Sequence, residues 1–112
     1  MDLKVKIIQP DLVWENPKAN RKQIENFLKE NKQAADVIVL PEMFTTGFTM
    51  NSAKFAEKTN GTTTAWMRTL AAKYNAAIVG SIIIKSGKNF FNRVIWMPPT
   101  GVSKTYDKIH LF

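Results

Sequence analysis

Four consecutive apolar residues, Val37-Ile38-Val39-Leu40, run without polar alternation straight into Pro41-Glu42. A continuous β-branched and leucine run of this kind reads as a strand covered on both faces, as in a sheet held between layers. Pro41 stops it, because proline has no N–H to give to a strand ladder. Glu42 is thereby left at the carboxyl end of a buried strand, where open α/β sheets place their clefts.

The flanking sequence supplies the layers. Leu3-Lys4-Val5-Lys6-Ile7-Ile8 alternates apolar and basic residues, as a strand with one covered face does, before Gln9-Pro10 ends it. Asn16-Pro17 starts a helix of about four turns, since Asn caps free N–H groups and Pro at the first helical position loses no hydrogen bond. Ile24, Phe27 and Leu28 share one face of that helix, so the first 41 residues read as a strand-helix-strand unit. Residues 45–64 form a long polar loop with Phe44, Phe48, Met50 and Phe55 as aromatic and apolar anchors, a length usually tied to function. Thr62, Thr63 or Thr64 caps a second helix that carries Trp66, Met67, Leu70 and Tyr74 and ends at Asn75. Strands over 77–84, 90–97 and 102–106, joined by Gly87-Lys88-Asn89 and Pro98-Pro99-Thr100-Gly101, complete an antiparallel meander. The expected fold is α/β, two helices packed on a mixed β-sheet, in one unit over residues 1–112.

Composition removes several function classes. There is no cysteine, so disulfides, thiolate metal sites and a thiol nucleophile are all excluded within these residues. One histidine without cysteines argues against a zinc site, and no cofactor or metal is expected. No run approaches the roughly 18 apolar residues needed to span a bilayer, and Asp2 and Lys4 interrupt any leader-like start, which points to the cytoplasm. The formal charge of +7 raises the question of nucleic acid. Its lysines and arginines are scattered among acids rather than gathered in a dense run, so neither nucleic-acid nor membrane binding is expected.

Glu42 suits a general base, although a turn-capping or surface-paired carboxylate fits the spacing too. Lys108, in Tyr106-Asp107-Lys108-Ile109-His110-Leu111-Phe112, suits an oxyanion-stabilising ammonium, or an ordinary exposed strand-end lysine. His110, between Ile109 and Leu111, reads as a packing residue. Asn92 and Arg93 interrupt an apolar strand, and one of them is expected to hydrogen-bond into the cleft. Thr45 and Thr46 follow Glu42 closely, but nothing nearby activates either as a nucleophile.

Together the two segments decide what single residues leave open. Val37-Ile38-Val39-Leu40-Pro41-Glu42-Met43-Phe44 resembles the segment around the catalytic glutamate of nitrilase-superfamily carbon–nitrogen hydrolases, and Tyr106 to Phe112 resembles the segment around their catalytic lysine. The part of the next strand over 77–81, which ends on Val79-Gly80-Ser81, and the asparagine at Asn92 also have counterparts. Pro41-Glu42-Met43-Phe44-Thr45-Thr46-Gly47-Phe48 is most similar to the ω-amidase branch, whose members hydrolyse the terminal amide of 2-oxoglutaramate and 2-oxosuccinamate. The resemblance implies the N-terminal half of a nitrilase-type α/β/β/α sandwich. It also implies a Glu-Lys-Cys site in which Glu42 relays protons and Lys108 holds the oxyanion. Phe44, Phe48 and Asn92 are the candidate substrate-binding residues.

In the family the cysteine lies C-terminal to the lysine segment, and none is present in these 112 residues. The polypeptide alone is therefore expected to be inactive as an amidase, and a binding or regulatory module of the same fold is the alternative. Half a sandwich would also expose the faces that a second half covers, so self-association is expected.

Overall fold

In the computed structural model, which describes residues 2–111, six strands form one mixed sheet and three helices accompany it. Strands β1 (Val5–Ile7), β2 (Val37–Val39) and β4 (Ala77–Ser86) lie side by side and parallel. β5 (Asn89–Met97) and β6 (Lys104–Leu111) follow β4 as the expected antiparallel meander. The two-residue β3 (Glu57–Lys58) extends the parallel edge at the far end of β4. Phe112 and the side chain of His110, both in the segment read above as lysine-bearing, lie outside the described residues.

Helix α1 (Pro17–Glu30) begins as its sequence demands: Asn16 Oδ1 accepts the Ala19 N–H at 3.1 Å and Pro17 occupies the first turn. It buries Ile24 and Leu28 against the sheet, whereas Phe27 is 37% exposed and falls off the covered face. Helix α3 (Thr62–Tyr74) turns Met67, Leu70 and Ala71 into the same core and closes on Asn75, whose φ of 48° is left-handed. Its start differs from expectation. Gly61 is the N-cap, and the carboxylate of Glu57 supplies the capping acceptor, taking the Thr63 N–H at 2.7 Å. The loop over 45–64 is also less irregular than expected, because a single helical turn, α2 (Ser52–Phe55), and β3 are built into it.

One sheet face carries the core. Ile38, Ile78, Ile82, Ile84, Ile95 and Met97 are buried there under α1 and α3. Gly80 belongs to this face for a steric reason: a Cβ on it would lie 2.8 Å from the Phe44 ring and 3.0 Å from Leu40 Cβ. Removing that methyl lets Phe44 seat fully inside, against Trp66 at 5.8 Å between ring centroids.

The other sheet face is open, and on the first strand it carries the apolar set. Val5 and Ile7 are 50% and 64% exposed, while Lys6 lies on the helix side. Its ammonium donates to the carbonyls of Asn31 and Gln33 just past the end of α1, at 2.6 and 2.9 Å. Cations are favoured at that helix end, which explains a lysine on the covered side. The same openness leaves Val37 and Val39 half-buried where the apolar run implied cover on both faces. Among the described residues no helix is long and apolar enough to cross a membrane.

Candidate active site

The chain leaves β2 through Leu40 and Pro41 and turns sharply at Met43, whose φ of 53° lies in the left-handed region. A methionine held there needs outside support. Ser81, buried on β4, provides it: its Oγ accepts the Met43 N–H at 2.9 Å and its carbonyl accepts the Phe44 N–H at 3.3 Å. The Met43 carbonyl then accepts the N–H groups of Thr46 and Gly47, at 3.2 and 2.9 Å. Glu42 is thus carried on a backbone tied to β4 on one side and closed into a turn on the other.

Its side chain reaches the open sheet face and meets two others. Lys108, on β6, makes an ion pair and hydrogen bond to Glu42 Oε1. Asn92, on β5, donates its Nδ2 to the same oxygen at 3.2 Å. Segments 66 positions apart in sequence are joined in this way. Glu42 and Lys108 are about one-third and two-fifths exposed, and they border a cleft of about 180 Å³ lined by Val39, Val79, Ser81 and Val94. A charged pair at an apolar cleft, at the carboxyl end of a parallel strand, can move a proton and steady a developing negative charge. The larger hollow, about 620 Å³, is a shallow surface along Asn16 to Glu25 of α1 and does not include these residues.

Of the residues singled out from sequence, Glu42, Asn92 and Lys108 come together and the two phenylalanines do not. Phe44 is wholly buried in the helix-side core because it follows the Met43 turn and drops into the space above Gly80. Phe48 is 69% exposed in the loop beyond that turn and does not line the cleft. Neither phenylalanine borders the cleft beside Glu42. Thr45 and Thr46 are buried in the turn, and Thr46 Oγ1 donates to the Gly47 carbonyl at 2.8 Å.

Arg93, the alternative to Asn92, points to the covered face. Its Nε and Nη2 grip Asp107 Oδ1 and Oδ2 at 2.6 and 3.0 Å, and Nη1 reaches Thr59 Oγ1 at 3.2 Å. The hydrogen bond to Asp107 and the attraction between the two charges raise the Arg93 pKa above its ordinary value, outweighing partial burial. With its pKa raised in the folded state, the arginine's own titration removes this stabilisation only as pH rises through the arginine range.

Sequence reasoning missed three supports. Ser81 and Asp107 lie in the family-like segments, but nothing in their spacing marks either as a support for the site. Asn20 is a polar residue on the buried face of α1, and it holds the loops beside Glu42 together: Oδ1 accepts the Val13 N–H at 2.7 Å, and Nδ2 donates to the Val13 and Thr45 carbonyls at 2.8 and 2.7 Å. A buried asparagine amid Ile24 and Leu28 at helical spacing is the signal that was available.

This chain belongs to the carbon-nitrogen hydrolase family (Carbon-nitrogen hydrolase), which matches it across residues 4–112. It is similar to omega-amidase YafV of Yersinia enterocolitica, 40% identical over 110 residues, a match covering 98% of this chain and 42% of the relative. It is also similar to 2-oxoglutaramate amidase of Bacillus subtilis, 31% identical over 96% of this chain and 43% of the relative. Among solved structures, XC1258 of Xanthomonas campestris, a CN-hydrolase superfamily protein, superposes with a TM-score of 0.92 at 38% identity, covering all of this chain and 42% of the other. The chain therefore spans well under half the length of the relatives it matches.

Proposed function

We propose that these residues form the acid–base and oxyanion-binding half of an amidase site acting on the terminal amide of small 2-oxo dicarboxylic acid monoamides such as 2-oxoglutaramate. The observation that carries the reading is the convergence of Asn92 and Lys108 on one oxygen of Glu42 at the mouth of an apolar cleft. The omega-amidase and 2-oxoglutaramate amidase relatives support the substrate class.

In the proposed sequence a cysteine from outside these residues attacks the amide carbonyl. Glu42 takes the thiol proton and passes it to the leaving nitrogen as the C–N bond breaks, releasing ammonia and leaving a thioester. Glu42 then takes a proton from water as the water adds to the thioester carbonyl, and the thiol departs with that proton while the carboxylic acid is released. Lys108 stabilises the negative oxygen of each tetrahedral intermediate. Side chains and water are enough for these steps, and the reading includes no cofactor. It also places the protein in the cytoplasm, which fractionation of cells producing it would check.

The test joins residues 1–112 to the C-terminal portion of the Yersinia enterocolitica relative, which is expected to bring the cysteine, and measures ammonia release from 2-oxoglutaramate. The joined polypeptide is expected to turn over, and the 112-residue polypeptide alone to release no ammonia above background. A folded joined protein without turnover would sink the reading.

A second reading has its own observation. Val5, Ile7, Trp96 and Tyr106 are exposed on the open sheet face. We propose that the 112-residue polypeptide self-associates through this face, so sedimentation at rising concentration should show species larger than the monomer. A monomer throughout, melting cooperatively, would instead favour the binding or regulatory module.

A further inference from the structure

We propose that Asn92 is a positioning residue for Glu42: it holds Oε1 in place so that Oε2 is left as the oxygen that moves the proton. This deepens the amidase reading and rests on it. A carboxylate has two oxygens, and here the donors are divided unevenly between them. Lys108 Nζ and Asn92 Nδ2 both go to Oε1, and among the described residues Oε2 accepts no hydrogen bond.

The strand geometry shows why lysine alone would not hold the group. In the β5–β6 ladder Arg93 pairs with Asp107 and Phe91 with Leu111, so two steps along β5 correspond to four along β6. Lys108 stands at the start of this irregular stretch, beyond the last regular pair, and its ammonium sits on a long, freely turning stem. Asn92 lies across from the irregularity on β5, but its own backbone is fixed from the other side by the unbroken β4–β5 ladder, opposite Ile83. A short amide on a fixed strand sets an orientation that a flexible point charge cannot.

The amide's own orientation agrees. Asn92 Oδ1 is buried and has no hydrogen-bond partner among the described residues, so Glu42 is the partner that fixes which way the amide faces. Without Asn92, nothing keeps the carboxylate from turning both oxygens towards the ammonium, which removes Oε2 from proton transfer. The residue therefore acts through Glu42 and not on substrate.

The experiment reads the arrangement first without catalysis. Side-chain NMR of the 112-residue chain follows Glu42 ¹³Cδ, Lys108 ¹⁵Nζ and the Asn92 amide. Asn92→Ala should shift both the Glu42 and Lys108 signals, and Asn92→Ser, which keeps a donor, should bring them back towards the original positions. Unmoved signals in a folded Asn92→Ala chain overturn the proposal. If that variant does not fold, Glu42→Ala reads the same bond from its one-third-exposed end: lost protection of one Asn92 amide proton supports the proposal, and retained protection overturns it. In the joined polypeptide, Asn92→Ala should lower kcat by about 10-fold to 100-fold, the scale of a small misplacement of a reacting group, with KM nearly unchanged. A rise in KM with kcat kept would make Asn92 a substrate ligand instead. Inactivity of the unaltered joined protein would count against the amidase reading alone, since the NMR result stands independently of turnover.

Discussion

Replacing Asn20 with leucine is expected to lower the unfolding free energy by about 3 kcal/mol, a large share of the roughly 5–15 kcal/mol that holds a typical domain together. Asn20 is fully buried, and its amide satisfies three backbone groups, the N–H and carbonyl of Val13 and the carbonyl of Thr45. Leucine has nearly the same size but no polar atom, so all three lose their partner. A buried group left unsatisfied costs about 1–3 kcal/mol; the Thr45 carbonyl bears that in full, the part-buried Val13 groups bear less, and the leucine side chain recovers part of the total. Asn20→Asp should be at least as damaging as leucine, because a buried carboxylate still accepts from the Val13 N–H but turns an unpaired charge towards the two carbonyl oxygens. Urea unfolding of the three proteins checks this, and an unchanged midpoint for the leucine variant would show that the loops are held by other means. The damage should spread towards the site. The Val13 and Thr45 loops are also joined by the Glu15 N–H donating to the Thr46 carbonyl at 2.9 Å and by Thr49 donating to Glu15, and both loops border the Glu42 turn.

Much of the fold could be read because it depends on local signals. The cap at Asn16-Pro17, the apolar run into Pro41, the left-handed Asn75 and the turns of the meander each follow from a few adjacent residues. What could not be read depends on which layer lies against which face. The alternation over residues 3–8 is a true strand signal, but period two does not say which set of side chains is covered, and Lys6 is on the helix side because the end of α1 lies above it. Phe44 illustrates the same limit. Its place in the sequence suggested the cleft, and a missing methyl on Gly80, 36 positions later, decides that it enters the core. At the site, Glu42 and Lys108 were legible as members of two family-like segments. The buried Ser81 hydroxyl under Met43 and the grip of Arg93 on Asp107, on the far face from Lys108, are three-dimensional contacts with no local pattern to announce them.

In an active joined polypeptide, Glu42→Gln should lower kcat by about 10²–10⁴-fold, the range for losing a positioned proton-transfer group. Lys108→Met should lower it by about 10²–10³-fold, the range for losing one donor to a developing oxyanion. The double variant should be little worse than the poorer single one, because the two groups serve the same tetrahedral intermediates and cannot fail twice. Stability should scarcely change in either single variant. The pair is one-third to two-fifths exposed, and ion pairs in such settings contribute only about 0–1 kcal/mol. That contrast makes the test decisive: a merely structural salt bridge predicts small effects on both measurements, whereas a reacting pair predicts a large loss of rate at nearly constant melting temperature. Retention of more than about a tenth of the rate by Lys108→Met, well short of the loss expected for an oxyanion donor, would remove Lys108 from the chemistry and leave it only the task of holding Glu42.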